Sequence, residues 1–307
     1  MISCTEFIPS YSELFSYLEE KHGHCEVNAF WDYLFTPSDT GIPLIRHMKE
    51  KGLAGCYSYW SGTLSEEAAD FTMCLNEKAG WFLINMRHCP SKGRLLNIKH
   101  ITQYHDYCLH CDFYRKTVEK FGLKYIYDFT NMDSAACRLL IYDPTTFDGR
   151  LIMDKSTLVL DRRASDNKYF HRDFHNSMNM GLEYLGKKYG TDAVKEYLER
   201  FTKNYYSPLI EAVRKRGLPA LEESILCTYA AEEANDAVKT VLQNGRLMVN
   251  VKYCPAVKHL HETDRKVSAW YPYSTETVMR TLAVQTGYRF QMCSYDEETG
   301  AAHYQFE

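Results

Sequence analysis

The residues of this chain best suited to chemistry are a cysteine and a group of histidines in its second half. Cys254 is followed five residues later by His259, and two further histidines, His171 and His175, lie upstream. A thiolate attacks an sp² carbon when a neighbouring base lowers its pKa, and imidazole is the usual base near neutral pH. We therefore predict Cys254 as a nucleophile. The alternative is a small buried residue that ends a strand before Pro255.

The two upstream histidines, His171 and His175, are four residues apart. On a helix they would share one face, and such a pair can act as general acid and base or bind a metal ion. The alternative is a helix start with polar side chains facing solvent. The His-Glu-x-x-His pattern of many zinc enzymes is absent. We predict His171 and His175 as acid–base residues.

A second cluster in the first half places Cys108, His110 and Cys111 within four residues. With Cys89 or Cys137 as a fourth ligand, it could hold zinc or an iron–sulfur cluster. A second closely spaced cysteine pair, which such sites usually have, is missing. Alternatively Cys111, with His110 beside it, is a catalytic nucleophile at the start of a helix, where the helix dipole favours thiolate. We expect no cofactor, with zinc at Cys108, His110 and Cys111 as the alternative.

Three residues are predicted to bind substrate: Arg280, Tyr253 and Arg172. The guanidinium of an arginine such as Arg280 can bind a carboxylate through two parallel hydrogen bonds. The commoner role of a helical arginine is a surface ion pair. The acidic pair Glu232 and Glu233 is expected on a solvated face or in a turn.

The elements that must position these residues occur twice. Four landmarks recur at offsets of 165 to 167 residues: Tyr17-Leu18 and Tyr184-Leu185, Pro43-Leu44-Ile45 and Pro208-Leu209-Ile210, Cys89-Pro90 and Cys254-Pro255, Gly122 and Gly287. We interpret them as two fused copies of one domain that pack as a pseudo-dimer. The predicted divisions are a first copy over 1–143, a linker over 144–167 and a second copy over 168–307.

Apolar periodicity and turn residues predict an α+β fold, in which each copy is helix-rich with a small antiparallel sheet. In the second copy we expect helices over 168–189, 192–204, 208–216, 219–233 and 274–286. Hairpins are expected within 238–251, around Asn244-Gly245, and within 288–306. In the first copy we expect helices near 10–21, 28–35, 42–51, 64–76 and 111–121, and strands over 80–87, 123–129 and 136–142. This element order resembles the ligand-binding fold of four-vinyl reductases and TRAPP subunits.

The second half also carries residues that are similar to a known enzyme family. They are Phe170-His171-Arg172-Asp173-Phe174-His175, Gly181, Tyr184-Leu185-Gly186, Tyr189-Gly190, Pro208-Leu209-Ile210, Gly217-Leu218, Val251 to Val257, Gly287-Tyr288 and Asp296 to Gly300. Over 168–307 the chain resembles the L-2-amino-thiazoline-4-carboxylic acid hydrolase family. The resemblance implies hydrolysis of a cyclic amidine, which opens a thiazoline ring towards an N-carbamoyl cysteine.

The composition of the chain limits the classes of binding partner and the cellular compartment that we expect. The net charge is −4 and there is no basic patch, which argues against nucleic acid and anionic membranes. No apolar run is long enough for a membrane span. An odd set of 11 cysteines and no visible secretory signal favour the cytoplasm. We expect a small-molecule substrate or ligand and leave a homo-oligomer open. The rival to an enzyme is a non-catalytic pseudo-dimer that binds a small molecule.

Overall fold

The computed structural model describes residues 1–35, 43–150 and 155–307. The first residue of the helix predicted over 42–51 and residues 151–154 of the predicted linker lie outside these ranges. The described chain forms two compact units. Unit A comprises Met1–Lys21, His100–Thr102 and Arg172–Glu307, and unit B comprises His22–Lys99 and Gln103–His171.

Within the described residues, the α-helices α1 to α11 are Phe7–His22, His24–Phe35, Leu44–Lys51, Leu53–Glu66, Pro90–Asn97, Tyr114–Glu119, Phe174–Tyr205, Ser207–Arg216, Leu218–Ala231, Pro255–Glu262 and Tyr273–Thr286. The strands β1 to β9 are Asp70–Asn76, Trp81–His88, Lys124–Asn131, Ala136–Tyr142, Leu158–Arg162, Val238–Gln243, Arg246–Val251, Phe290–Tyr295 and Ala302–Phe306. The predicted α+β class is confirmed.

Each unit contains one antiparallel sheet. The strand order in unit B is β3-β4-β2-β1-β5, and in unit A it is β6-β7-β9-β8. Asn244 and Gly245 both have positive φ angles, 55° and 73°, which the tight turn between β6 and β7 requires. The two predicted hairpins of the second half are therefore confirmed.

Unit A combines the N-terminal helix with the second half of the chain. The Phe7 ring of α1 stacks on Phe174 of α7 with 4.6 Å between centroids. The buried Tyr197 hydroxyl of α7 donates a hydrogen bond to the Ser10 carbonyl at 2.8 Å. Gly190 interrupts α7 with a φ of 83°, a conformation that suits glycine. The predicted break between the helices over 168–189 and 192–204 is thus confirmed.

Two predicted helices are wrong or shortened. The helix expected over 64–76 is wrong, because α4 ends at Glu66 and Asp70–Asn76 forms β1. Ala68 has a φ of 54°, which ends helical geometry, and Phe71 and Met73 alternate into the core as strand residues do. The residues expected to form one helix over 111–121 are divided between two elements. They begin inside a 3₁₀ segment, Tyr107–Phe113, and continue into the short α6.

Several elements of the described residues have no counterpart in the sequence-based prediction, among them most of α4. Residues of the expected linker form β5, which pairs with β1 in unit B. The helices α5 and α10 follow directly after Cys89 and Cys254, and each has a proline at its first position. Proline is favoured there because the first helical N–H has no partner within the helix. No helix in the described parts of the chain has the length and apolar character of a membrane span.

Candidate functional site

A buried cysteine, histidine and glutamate meet in unit A. Cys4 opens a 3₁₀ turn before α1, His175 lies in the first turn of α7, and Glu232 follows the last residue of α9. The His175 Nε2 lies 3.0 Å from Glu232 Oε2, and the Cys4 N–H donates to Glu232 Oε1 at 2.5 Å. The thiol, imidazole and carboxylate atoms all lie within 4.8 Å of one another. We call these three residues the Cys4 cluster.

The end of α9 explains why Glu232 points inward. Glu233 adopts a positive φ of 55°, and the Ala234 N–H returns to the Tyr229 carbonyl at 2.9 Å. This turn leaves Glu232 only 3% exposed, whereas Glu233 lies at the surface, 3.4 Å from Arg172. The expected solvated face is therefore wrong for Glu232, whereas the alternative of a turn position is confirmed for both glutamates.

The electrostatics of the Cys4 cluster favour a charged carboxylate and a neutral thiol. Burial alone would raise the pKa of Glu232, but the hydrogen bonds from His175 and from the Cys4 backbone outweigh it and lower that pKa. Burial and the adjacent Glu232 charge together raise the pKa of Cys4 far above its ordinary value. The Nε2–H of a neutral His175 donates a hydrogen bond to the Glu232 carboxylate. The ring nitrogen that remains free to accept a proton in that tautomer is Nδ1.

Cys254 is also buried in unit A, at the N-terminus of α10. Its Sγ lies 3.3 Å from Met1 Sδ, and its N–H donates to the Thr299 carbonyl at 2.9 Å. Burial raises the pKa of the Cys254 thiol, while the N–H groups of Val257 and Ala256 act in the opposite direction. Helix α10 therefore supplies the helix-start environment that favours thiolate, although burial has the larger effect.

Aromatic hydroxyls lie near Cys254. Burial raises the pKa values of four tyrosines, and negative charge at Cys254 raises them further: Tyr229, Tyr271, Tyr295 and Tyr304. Glu232 contributes to the raised pKa of Tyr271 and of Cys254 itself. Cys254 and the Cys4 cluster therefore belong to one buried polar region of unit A.

His259 lies near His175 and adds a second imidazole to this buried polar region. Its ring centroid lies 6.4 Å from that of His175, and its Nε2 lies 3.6 Å from Asp173 Oδ1. That distance is too long for a hydrogen bond, and His259 Nε2 is buried with no hydrogen-bond partner among the residues that the structure describes. His261 Nε2 lies 2.9 Å from the Glu298 carbonyl.

The predicted pairing of His171 with His175 on one helix face is wrong. Helix α7 begins at Phe174, because the Phe170 N–H bonds the Glu66 carbonyl at 2.7 Å and the preceding chain is not helical. His171 belongs to unit B, where its Nδ1 lies 2.5 Å from Glu66 Oε2. The two histidines thus have different carboxylate partners.

The Cys108, His110 and Cys111 group lies in the 3₁₀ segment of unit B. Cys111 Sγ is 3.5 Å from His110 Nε2, but the potential ligand atoms of all three residues do not come within 4.8 Å of one another. Cys111 is not at the start of an α-helix, contrary to expectation. Burial raises its pKa to about 12 and lowers the pKa of His110. The nearby charge of Glu67 raises the pKa of Cys111 further and partly offsets the lowering at His110, so a reactive thiolate is not favoured.

The predicted substrate-binding residues occupy separate positions. Arg280 makes an exposed ion pair with Glu276, 2.7 Å away on the same helix. The Tyr253 hydroxyl donates to Asp236 at 2.9 Å. Arg172 lies at the surface, and its charge slightly offsets the raised pKa of Cys4. Of the three, Arg172 is thus the one linked electrostatically to the Cys4 cluster.

Sequence reasoning missed two members of this site, Cys4 and Glu232. Neither stands at a recognisable spacing from His175, because the three residues come from different parts of the chain. Only the end of α9 offered a signal, since one of two adjacent glutamates after a helix can turn inward.

No protein-family model, curated protein or solved structure significantly matches this chain.

Proposed function

We propose that this chain is a hydrolase that opens a small cyclic amidine of the thiazoline type in unit A. The observation that carries the proposal is the buried His175–Glu232 pair beside two thiols. A buried imidazole oriented by a carboxylate is the arrangement that general acid–base catalysis uses, with the third group fixing the tautomer.

Cys254 is the better nucleophile of the two thiols. The Glu232 carboxylate beside Cys4 disfavours a second negative charge there. Cys254 instead has the N–H groups at the start of α10 near its sulfur. Since Met1 Sδ lies 3.3 Å from Cys254 Sγ, an incoming substrate displaces the Met1 side chain.

The proposed reaction adds one water in two steps. The Cys254 sulfur bonds to the amidine carbon, its proton passes to His175, and the ring carbon–sulfur bond breaks as the substrate sulfur takes that proton. Water then attacks the carbon of the resulting isothiourea. His175 takes one water proton and returns it to the departing Cys254 sulfur, while the other water proton passes from the new hydroxyl to the imine nitrogen, which leaves an N-carbamoyl cysteine and the original thiol.

Arg172 is the candidate that fits a substrate carboxylate best. Its charge acts on Cys4, and one of its contacts is a 3.4 Å pair with the exposed Glu233. A surface ion pair of this kind is weak and exchanges readily for a substrate carboxylate. Arg280 is less suitable, because it is paired along its own helix with Glu276.

The proposal includes an internal duplication, which the element bounds support. Helices α4 and α9 begin 165 residues apart, at Leu53 and Leu218, and so do α5 and α10, at Pro90 and Pro255. The strand order β1-β2-β4-β3 in unit B corresponds to β6-β7-β9-β8 in unit A. Both Cys-Pro pairs begin a helix, so the shared pair has an architectural role in addition to any chemistry of Cys254.

The test is turnover of 2-amino-thiazoline-4-carboxylate by the purified chain, with product identified by mass spectrometry. We expect Cys254→Ser to lower the rate at least about 1,000-fold, because the hydroxyl is a far weaker nucleophile. Cys227→Ser, which changes an exposed cysteine on α9, is the matched control and should keep full activity. Full activity in folded Cys254→Ser would refute the nucleophile, and absence of wild-type turnover would refute this substrate class.

A further inference from the structure

We propose that Cys4, His175 and Glu232 form a binding site for one zinc ion. This inference does not rest on the proposed hydrolysis, because it concerns ion binding and can be measured without a substrate. It goes beyond the sequence-based expectation of zinc, which concerned Cys108, His110 and Cys111 in unit B.

The donor set selects the class of metal. Thiolate, imidazole and carboxylate are the three side-chain groups that zinc binds in proteins. Magnesium and calcium require mostly oxygen ligands, and the Cys4 cluster offers a single carboxylate. Among the described residues, no other group of three histidine, cysteine or acidic side chains brings its ligand atoms within 4.8 Å.

The distances also fit a shared ion. Two ligand atoms about 2.1 Å from zinc at a tetrahedral angle are about 3.4 Å apart. His175 Nε2 and Glu232 Oε2 are already 3.0 Å apart, and the Cys4 sulfur needs only a small adjustment from within 4.8 Å. The two ligands His175 and Glu232 lie in and directly after long helices, which hold their backbones in place.

Charge balance favours zinc at this depth. The three side chains are 0%, 1% and 3% exposed for Cys4, His175 and Glu232. When zinc displaces the thiol proton, thiolate and carboxylate together cancel the charge of the ion, so the buried site becomes neutral. The Cys4 N–H bond to Glu232 Oε1 remains available to orient the carboxylate, as contacts to metal ligands commonly do.

Zinc binding and the proposed hydrolysis make opposite demands on His175. A zinc ion on Nε2 replaces the proton that Glu232 now accepts, and the imidazole then serves the metal instead of general base catalysis. Zinc is therefore expected to act as a reversible inhibitor of any chemistry that depends on the His175–Glu232 pair. Because binding is read out separately, failure of one proposal does not decide the other.

The experiment titrates the metal-free full chain with zinc in competition with a chromophoric chelator. We expect one zinc per chain, and at least about tenfold weaker binding in Cys4→Ser and Glu232→Gln. The matched controls, Cys227→Ser and Glu233→Gln, change exposed neighbours in unit A and should bind as wild type does. Circular dichroism of each metal-free variant checks that it is folded.

X-ray absorption of the zinc-loaded wild type provides a measurement that needs no variant. We expect one sulfur at about 2.3 Å and nitrogen or oxygen ligands near 2.0–2.2 Å. Three or four sulfur ligands would place the ion among other cysteines and overturn the proposal. Lack of stoichiometric zinc, or unchanged affinity in folded Cys4→Ser and Glu232→Gln, would do the same.

Discussion

Gly300 lies directly against Cys254: a Cβ atom placed on Gly300 would come within 2.4 Å of the Cys254 Cβ. Gly300 also has a φ of 66°, which side-chain-bearing residues rarely adopt. Together with the bond from the Cys254 N–H to Thr299, this contact fixes the start of α10. The position of the Cys254 thiol therefore depends on a residue in the β8–β9 turn.

Gly300→Ala should destabilise the protein by about 3 kcal/mol, from backbone strain of roughly 1 kcal/mol and overlap with Cys254. Gly245→Ala is the matched control, because Gly245 has a similar φ of 73° but no atom within 4 Å of the new Cβ. That variant should lose only about 1 kcal/mol. Urea unfolding measures both, and equal losses would contradict the proposed contact.

Glu232→Gln should lower the free energy of unfolding by about 3 kcal/mol in metal-free buffer. Removing one member of a buried charged pair leaves the other poorly compensated, and the hydrogen bonds to His175 and Cys4 weaken. Glu233→Gln, at a surface position, should change stability by less than about 0.5 kcal/mol. Chemical denaturation measures the free energy of unfolding of both variants. An equally small loss in Glu232→Gln and Glu233→Gln would show that Glu232 is solvated and contradict the prediction.

Glu67 in unit B should make stability fall as the pH rises. Burial raises the pKa of its carboxyl above 4.5, although the charge of His171 and the bond from Ser91 act the other way. A carboxyl that binds its proton more tightly when folded contributes stability at low pH, which is lost as the pH rises through its folded pKa.

Glu67→Gln should therefore be more stable than wild type at pH 7 and show a smaller decline from about pH 4.5 upward. Glu119→Gln, on the exposed side of α6, should keep the wild-type profile. Thermal unfolding across this range is the measurement. A parallel profile for Glu67→Gln and wild type would rule out the effect.

The rate at which each cysteine reacts with a thiol reagent should follow its exposure. We expect three fast equivalents with a disulfide reagent at pH 8, from the exposed Cys25, Cys227 and Cys293. Cys4 should react only on unfolding, and Cys254, which Met1 covers, should react far more slowly than the three exposed thiols, because burial raises the pKa of both. Cys227→Ser should reduce the fast phase to two equivalents. Fast alkylation of Cys254, mapped by mass spectrometry, would disagree with its burial.

Local signals predicted much of the fold. Asn244-Gly245 specifies its own turn, and Gly190 ends a helix, so both features follow from a few adjacent residues. The strand at 70–76 was missed because its pairing with β2 and β5 joins segments that are distant in the sequence or unpredicted as strands. Propensity alone does not contain that pairing.

The candidate site was less predictable, since its geometry is tertiary. His175 and Cys254 were selected by residue type, and their catalytic roles stay predictions. Glu232 was expected on a solvated face or in a turn, and its burial was missed because that depends on what packs over the end of α9. Cys4 had no spacing to indicate it, because its partners lie far along the chain.

The membership of α1 in unit A has a consequence for synthesis. This helix is made before unit B, yet its partner surface on α7 is made only after all of unit B. Until then its buried face, including Phe7, Leu14 and Phe15, has no native partner to cover it. Unit A can therefore be completed only after the second half of the chain is made, and the uncovered apolar face of α1 is prone to aggregation until then. A fragment starting at residue 172 would expose the matching face of α7 and aggregate.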